Sequence, residues 1–362
     1  ASDRRKTNVI TDSTRPPPPP PVPSAAATPL LSVRGLCRHF PVHGRGFGRK
    51  VIGTVRAVDD VSFDLHPGET LGLVGESGSG KTTTARCIMR AIAPTSGEVI
   101  FRPPGGAAVD LARLPARALK PLRPRMQMIF QDPFSSLNPR MTVGEIVGEP
   151  LVIHGLAKGA ELDARVGDIL AKVGLKPGHR TSYPHAFSGG QRQRIGIARA
   201  LIMRPSLIVA DEAVSALDVS VQAQVLNLLK DLQAEFQLTY LFVAHNLEVV
   251  RHFCDRVAVM YAGRIVEVSP AARMFARPLH PYTKALLAAV PWPDPDVKMK
   301  FDVPGEIADP SDLPPGCAFH PRCKECFAPC LRHRPELRDV TGGGRFAACH
   351  RHDPAHAFGD ED

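Results

Sequence analysis

Residues 75–82 read "GESGSGKT", which fits G-x-x-x-x-G-K-[ST]. The stretch lies between a short apolar run, "ETLGLVG" (69–75), and a segment of helical period, "KTTTARCIMRAI" (81–92). Strand, glycine loop and helix in that order make a phosphate-binding loop. Gly75, Gly78 and Gly80 permit backbone angles that a side chain would block, so the N–H groups of these glycines and of Ser77 and Ser79 can curl around anionic oxygens. The helix start near Gly80 adds its partial positive charge. Lys81 can set an ammonium on the β- and γ-phosphates, the Thr82 hydroxyl can coordinate Mg²⁺, and Thr83 follows in the same turn. Taken alone, the octapeptide could still be a plain glycine turn before a helix.

A second motif removes that alternative. "SLIVADE" (206–212) is an apolar run ending in Asp211 and Glu212. Acids at the carboxyl edge of a parallel sheet lie where ligands bind. Asp211 can hold Mg²⁺, and Glu212 can polarise an attacking water. "RMQMIF" (125–130) and "TYLFVAH" (239–245) read as further buried strands, with the helical "DVSVQAQVLNLLKDLQAEF" (218–236) between the last two. Strands alternating with helices predict an α/β fold with a parallel sheet and crossovers. Residues from about 132 to 204 are helical and loop-rich, so they form an insertion. "RVAVMYAGRIVEVS" (256–269) predicts a hairpin turning at Ala262-Gly263. Before the phosphate loop, "LLSVRGLCRHFPV" and "VRAVDDVSFDL" have strand composition, joined through the loop "HGRGFGRK" (43–50).

With 362 residues and 43% apolar content the chain can bury a substantial core, of roughly two domains. No segment reaches the ~20 apolar residues of a membrane-spanning helix, and the first residues lack a secretory apolar core. The expectation is a soluble, unexported protein. Residues 1–58 hold ten Lys/Arg against two Asp, which accounts for eight of the nine net positive charges. The folded body is nearly neutral, which argues against a nucleic-acid partner. Residues 1–27 contain six consecutive prolines and are expected to be disordered or a stiff spacer.

"FSGGQRQRIGIARAL" (187–201) resembles the signature of ATP-binding-cassette (ABC) ATPases, usually Leu-Ser-Gly-Gly-Gln. The order of motifs is also that of the family: phosphate loop, Gln131, signature, Asp-Glu strand, "SALD" (215–218) and His245. The resemblance covers about residues 30–268. It implies a RecA-like P-loop core with an antiparallel β subdomain and an inserted helical subdomain (about 132–204), in a cassette spanning 28–280. It further implies that two cassettes face each other head to tail with ATP and Mg²⁺ between them. Ser188, Gly189, Gly190 and Gln191 would then act on the partner's γ-phosphate, and Asp218 would lie at the seam. Gln131 would sense Mg²⁺ and the attacking water and couple to the membrane subunit. His245 would contact the γ-phosphate, and Phe40 would stack on adenine. Phe187, Ala213-Val214 and Asn246 depart from the usual Leu, Pro-Thr and Asp; none removes a catalytic group.

Within the family the likeness is to ATPases of dipeptide/oligopeptide importers, carried by 131–151, 211–229 and "HPYTKALLAAVP" (280–291). It implies a second ATPase subunit of a different chain, two permease subunits, an extracellular solute-binding protein and a place on the cytoplasmic face of the membrane. Importers of nickel and other small solutes share these motifs. A soluble ABC ATPase acting on ribosomes or nucleic acid is the alternative from another class.

The extension, residues 281–362, carries "CAFHPRCKECFAPC" (317–330) and Cys349 before His350. In a reducing compartment metal ligation is expected before a disulfide. Only Cys323 and Cys326 have zinc-knuckle spacing. Importer ATPases of this family carry C-x5-C-x6-C and a fourth Cys before a His. Cys317, Cys323, Cys330 and Cys349 match, which resembles a four-thiolate [4Fe–4S] set; the extra Cys326 keeps zinc as an alternative. Cys37, Cys87 and Cys254 are expected to be buried as small apolar residues. Because the tail follows the complete catalytic set, it is expected to fold the extension and help dock the partner, with no part in hydrolysis.

Overall fold

The computed structural model describes residues 28–44, 50–132, 134–289 and 305–356. The proline-rich segment 1–27 and residues 45–49 of the Arg/Gly-rich loop lie outside the described residues. Two sheets organise the chain. The first is antiparallel, in the order β2-β1-β4-β5, from β1 (Leu31–His43), β2 (Val51–Leu65), β4 (Ser96–Phe101) and β5 (Val109–Asp110).

The second sheet runs β11-β12-β10-β9-β3-β8-β7-β6. Its parallel centre is β3 (Thr70–Val74), β6 (Met126–Ile129), β7 (Leu207–Asp211), β8 (Thr239–Ala244) and β9 (Arg256–Tyr261). Every residue of β3, β7 and β8 is buried, because helices cover both faces and the strands therefore read as continuous apolar runs. β10 (Arg264–Pro270) turns back antiparallel on β9. The turn between them, Ala262 (φ 45°) and Gly263 (φ 81°), has both central residues left-handed, as a tight hairpin requires. β12 (Phe346–Ala347) pairs with β10, and β11 (Arg338–Asp339) with β12.

The predicted helix after the phosphate loop is α1 (Lys81–Ile88), ending earlier than its apolar period suggests. α2 (Ala116–Leu119) precedes β6. The insertion between β6 and β7 contains α3 (Val143–Ile153), α4 (Gly159–Lys172) and α5 (Gly189–Leu201). Capping boxes start α3, from Thr142 and Glu145, and α5, from Ser188 and Gln191. α6 (Val219–Phe236) crosses from β7 to β8, and α7 (Leu247–Phe253) from β8 to β9. Two short helices follow, α8 (Ala271–Ala276) and α9 (Pro281–Ala288), and α10 (Ala328–Arg332) lies among the tail cysteines.

The extension packs on the cassette. Tyr261 of β9, Tyr282 of α9 and Phe319 of the tail form an aromatic cluster with ring centres 4.7–5.4 Å apart. The Ala348 N–H donates to Val266 O at 2.8 Å, and the Arg56 N–H donates to Pro310 O at 2.9 Å. Cys87 and Cys254 are buried as expected. Cys37 is a correction: it is only half-buried, because β1 twists away from the core past Leu36 and its register with β2 shifts there.

One glycine of the small sheet tests this packing. Gly97 has φ +98°, and a Cβ placed on it would stand 2.5 Å from the Gly35 carbonyl oxygen, where β1 bulges against β4. Gly97→Ala is expected to lower unfolding free energy by about 2–4 kcal/mol. At Gly53 a Cβ would meet nothing within 4 Å, so Gly53→Ala should change stability by less than about 1 kcal/mol. Denaturant melts of the two variants check the contrast.

Candidate nucleotide site

Because β3 ends at Val74, the chain turns into the phosphate loop at the carboxyl edge of the parallel sheet. Gly80 caps α1 with φ +102°, and a Cβ there would lie 2.2 Å from the Ala57 carbonyl oxygen. No side chain fits between loop and β2. The β9–β10 turn braces the loop from the other side, with the Gly263 N–H donating to Ser79 O at 2.9 Å. Ser79 is buried, while Ser77 and Gly78 form the exposed tip.

Lys81 is 4% exposed. Its Nζ donates to Gly75 O at 2.8 Å and Glu76 O at 2.9 Å. Burial pushes its pKa down, and the carboxylates of Glu212, Asp211 and Glu76 oppose that shift. The ammonium is therefore held at the loop, ready to exchange carbonyl partners for phosphate oxygens. Thr82 Oγ1 donates to Asp211 Oδ1 at 2.9 Å. Burial raises the pKa of Asp211, with the Thr82 hydrogen bond opposing it. A hydroxyl and a carboxylate side by side next to a phosphate loop form a donor set suited to Mg²⁺, which takes few protein ligands and keeps water and phosphate as the rest. Thr83, one residue along α1, is half-buried.

Three sequence-predicted residues meet at one carboxylate. Gln131 Nε2 donates to Glu212 Oε2 at 2.6 Å, and His245 Nδ1 lies 3.3 Å from the same oxygen. Glu212 has φ +49°, a left-handed backbone that costs energy for a residue with a long side chain. Its N–H donates to Val243 O at 3.0 Å, and its C=O accepts from the Ser215 N–H and hydroxyl. These bonds hold the strained turn, which carries the side chain toward Gln131 and His245.

The signature residues sit apart from this group. Ser188 and Gln191 bond reciprocally at the start of α5. Gly189 lies 3.7 Å, from an added Cβ, to Leu217, and Gly190 packs against Val221. Asp218, exposed, caps α6 through the Val221 N–H at 3.0 Å. That N–H and the Ser220 hydroxyl hold its pKa below the usual carboxylate value. Among the described residues no hydrogen bond joins 188–191 to the phosphate loop. The structure thus brings Lys81, Thr82, Asp211, Glu212, Gln131 and His245 together, and places Ser188–Gln191 beside Asp218 as a separate, outward-facing helix start. Phe40 is half-buried, and the Arg38 guanidinium lies over its ring at 4.3 Å, so one ring face is already covered.

In the extension, Cys317, Cys323, Cys330 and Cys349 line one cavity of about 10 Å³ together with His280, Phe319 and His350. Cys326 is exposed and outside that lining. Burial pushes Cys317 up to about 12 and Cys323 up to about 11, and the neighbouring thiols add to both shifts. Four converging thiols with one left out fit a four-thiolate metal group. Among the described residues the triad of ligand atoms all within 4.8 Å of one another is Cys37, His39 and Asp59, so no three tail thiols come that close. Thiolates on one tetrahedral zinc stand about 3.8 Å apart, which suits this spread poorly.

One contact was not legible in the sequence. Arg322 of the tail donates to the Glu76 carboxylate, and the Glu76 N–H donates to Tyr282 Oη at 2.9 Å. The tail, which sequence reasoning assigned no part in hydrolysis, thus touches the phosphate loop.

The ABC transporter family profile matches residues 58–215, and the profile of the oligopeptide/dipeptide transporter C-terminal region matches residues 266–330. A provisionally named peptide import ATP-binding protein of Brucella ovis is 51% identical over 325 residues, covering 90% of this chain and 98% of its own length. The oligopeptide transport ATP-binding protein AppF of Bacillus subtilis is 48% identical over 325 residues, covering 89% and 97%. Among solved structures, the dimeric post-hydrolysis state of an ATP-binding cassette bound to ADP and Pi superposes with a TM-score of 0.57. It is 28% identical, with 67% of this chain and 98% of that one covered. The chain belongs to the ATP-binding proteins of ABC transporters, in the branch that carries the oligopeptide/dipeptide transporter C-terminal region.

Proposed function

We propose that the chain is the ATP-hydrolysing motor of a di- or oligopeptide importer. It works as one of two cassettes, its partner a different chain, on the cytoplasmic face of two permease subunits fed by an extracellular solute-binding protein. The observation that carries the reading is the convergence of Gln131 and His245 on Glu212, next to the Thr82–Asp211 pair. In this reading the loop from Gly75 to Thr83 binds the phosphates, and Lys81 takes their β- and γ-oxygens. Thr82, Asp211 and Gln131 hold Mg²⁺. Glu212 accepts a proton from the attacking water, and His245 steadies the γ-phosphate. Ser188–Gln191 and Asp218 serve the partner's nucleotide, which agrees with their outward position, and Phe40 offers its free face to adenine.

Residues 28–280 make the cassette, 132–204 its helical subdomain and 281–362 the extension. Phe130 and Phe134, exposed on either side of Gln131, suit a permease contact, since aromatic residues are enriched at protein interfaces. Among the described residues no helix is long and apolar enough to cross a membrane. Peptide as cargo is supported by the names of the relatives and by the match over residues 266–330. Glu212→Gln removes the base while keeping size and polarity. In the assembled transporter it is expected to lower ATP turnover by at least about 100-fold and peptide uptake with it. Retention of both activities would sink the assignment.

Cys317, Cys323, Cys330 and Cys349 hold an iron–sulfur cluster of the [4Fe–4S] type. Support comes from their spread, wide for one zinc, and from the exclusion of Cys326. The cluster would supply covalent cross-links between segments that share little apolar surface. Anaerobically purified protein is expected to absorb broadly near about 400 nm. Cys323→Ser should abolish the band and Cys326→Ser should keep it. A colourless protein with one bound zinc would replace this reading by the zinc one.

A further inference from the structure

Arg322 lies in the tail turn His320–Arg322, one residue before Cys323, and its side chain is 5% exposed. Its Nη1 donates to both oxygens of the Glu76 carboxylate, at 3.1 and 3.3 Å. The guanidinium stands 5.9 Å from the ring centres of Tyr261 and Phe319, whose faces favour a cation. Glu76, the second residue of the phosphate loop, is fixed at its other polar groups too. Its N–H donates to Tyr282 Oη, and its C=O accepts from Lys81 Nζ. The pair spans 246 positions of sequence and ties the extension to the one loop that must meet the nucleotide.

An acidic side chain in such a loop works against its purpose. The Glu76 carboxylate is close enough to the Lys81 ammonium to act on its charge. Left unpaired and largely buried, it would repel a polyphosphate and compete with it for that ammonium. We propose that Arg322 is a positioning residue for nucleotide binding: by neutralising Glu76 from the extension, it leaves the charge of Lys81 to the phosphates of ATP. ATP affinity is then set in part by how the extension is folded. The proposal rests on the nucleotide reading of the loop and is independent of what the tail thiols bind.

The test is ADP binding to the full chain, read by titration calorimetry, with far-UV circular dichroism as a check on folding. Arg322→Met, which keeps bulk and removes charge, is expected to weaken ADP binding about tenfold. Glu76→Gln introduced into that variant removes the stranded carboxylate and is expected to return the Kd to within about threefold of the parent. A purely structural Arg322 would give no such rescue. Arg322→Lys keeps the charge and should also stay within about threefold, which covers the case in which the methionine variant does not fold. Unchanged affinity in a folded Arg322→Met, no recovery in the double variant, or a tenfold loss in Arg322→Lys would each overturn the proposal. A parent chain that bound no ADP would overturn the nucleotide reading and the proposal with it; a parent that binds normally confines any failure to Arg322.

Discussion

In the parallel ladder of β3, β8 and β7, Val74 stands opposite Ala244 and Asp211 stands opposite Val243. A slip of this register by one residue would exchange the side chains packed on the two covered faces of these strands. Three strands therefore end at one level. The residues just past those ends are Gly75, Glu212 and His245, which come from segments more than thirty positions apart. β6, one strand further out, ends at Ile129, and Gln131 follows two residues on. The site is a consequence of where four strands stop.

Charge completes what register begins. Asp211, Glu212 and Glu76 crowd carboxylates around a single buried ammonium, Lys81, in a place meant for a polyanion. In the proposed function the Thr82–Asp211 pair would hold Mg²⁺, whose charge would offset the first of these acids. Glu212 is held by Gln131 and His245, and Glu76 by Arg322. The partners of Glu212 and of Glu76 thus come from distant parts of the chain. The strained backbone at Glu212 belongs to the same design, because an ordinary strand exit would carry that carboxylate elsewhere.

Much of this was legible in the sequence for a local reason. β3, β7 and β8 are buried on both faces, so their apolar runs stand out, and each catalytic acid or loop is written next to its strand. The hairpin at Ala262-Gly263 announced itself through a residue pair suited to a tight turn. The antiparallel sheet was only half visible. "SGEVIF" (96–101) mixes polar and apolar residues because β4 has one face on the core, and the two-residue β5, β11 and β12 carry no pattern at all. The Arg322–Glu76 pair left no trace, since a lone arginine in a cysteine-rich tail has nothing local that names its distant partner. The convergence of four cysteines was suggested by the resemblance to importer ATPases, whereas the half-exposed position of Cys37 depends on where β1 leaves the core and could not be read from its neighbours.

The brief pairing of β12 with β10, through Glu267–Ala347 and Val268–Phe346, has a further meaning for the life of the molecule. β10 is nearly all buried along its length, yet it is the outer strand of the cassette's own hairpin. A bare strand of that kind offers a row of unsatisfied N–H and C=O groups to any passing chain. By laying two residues and a loop along it, the extension caps the sheet and denies other polypeptides a template for edge-to-edge growth. At Glu267 and Val268 the tail thus occupies a sheet edge that would otherwise be open to pairing.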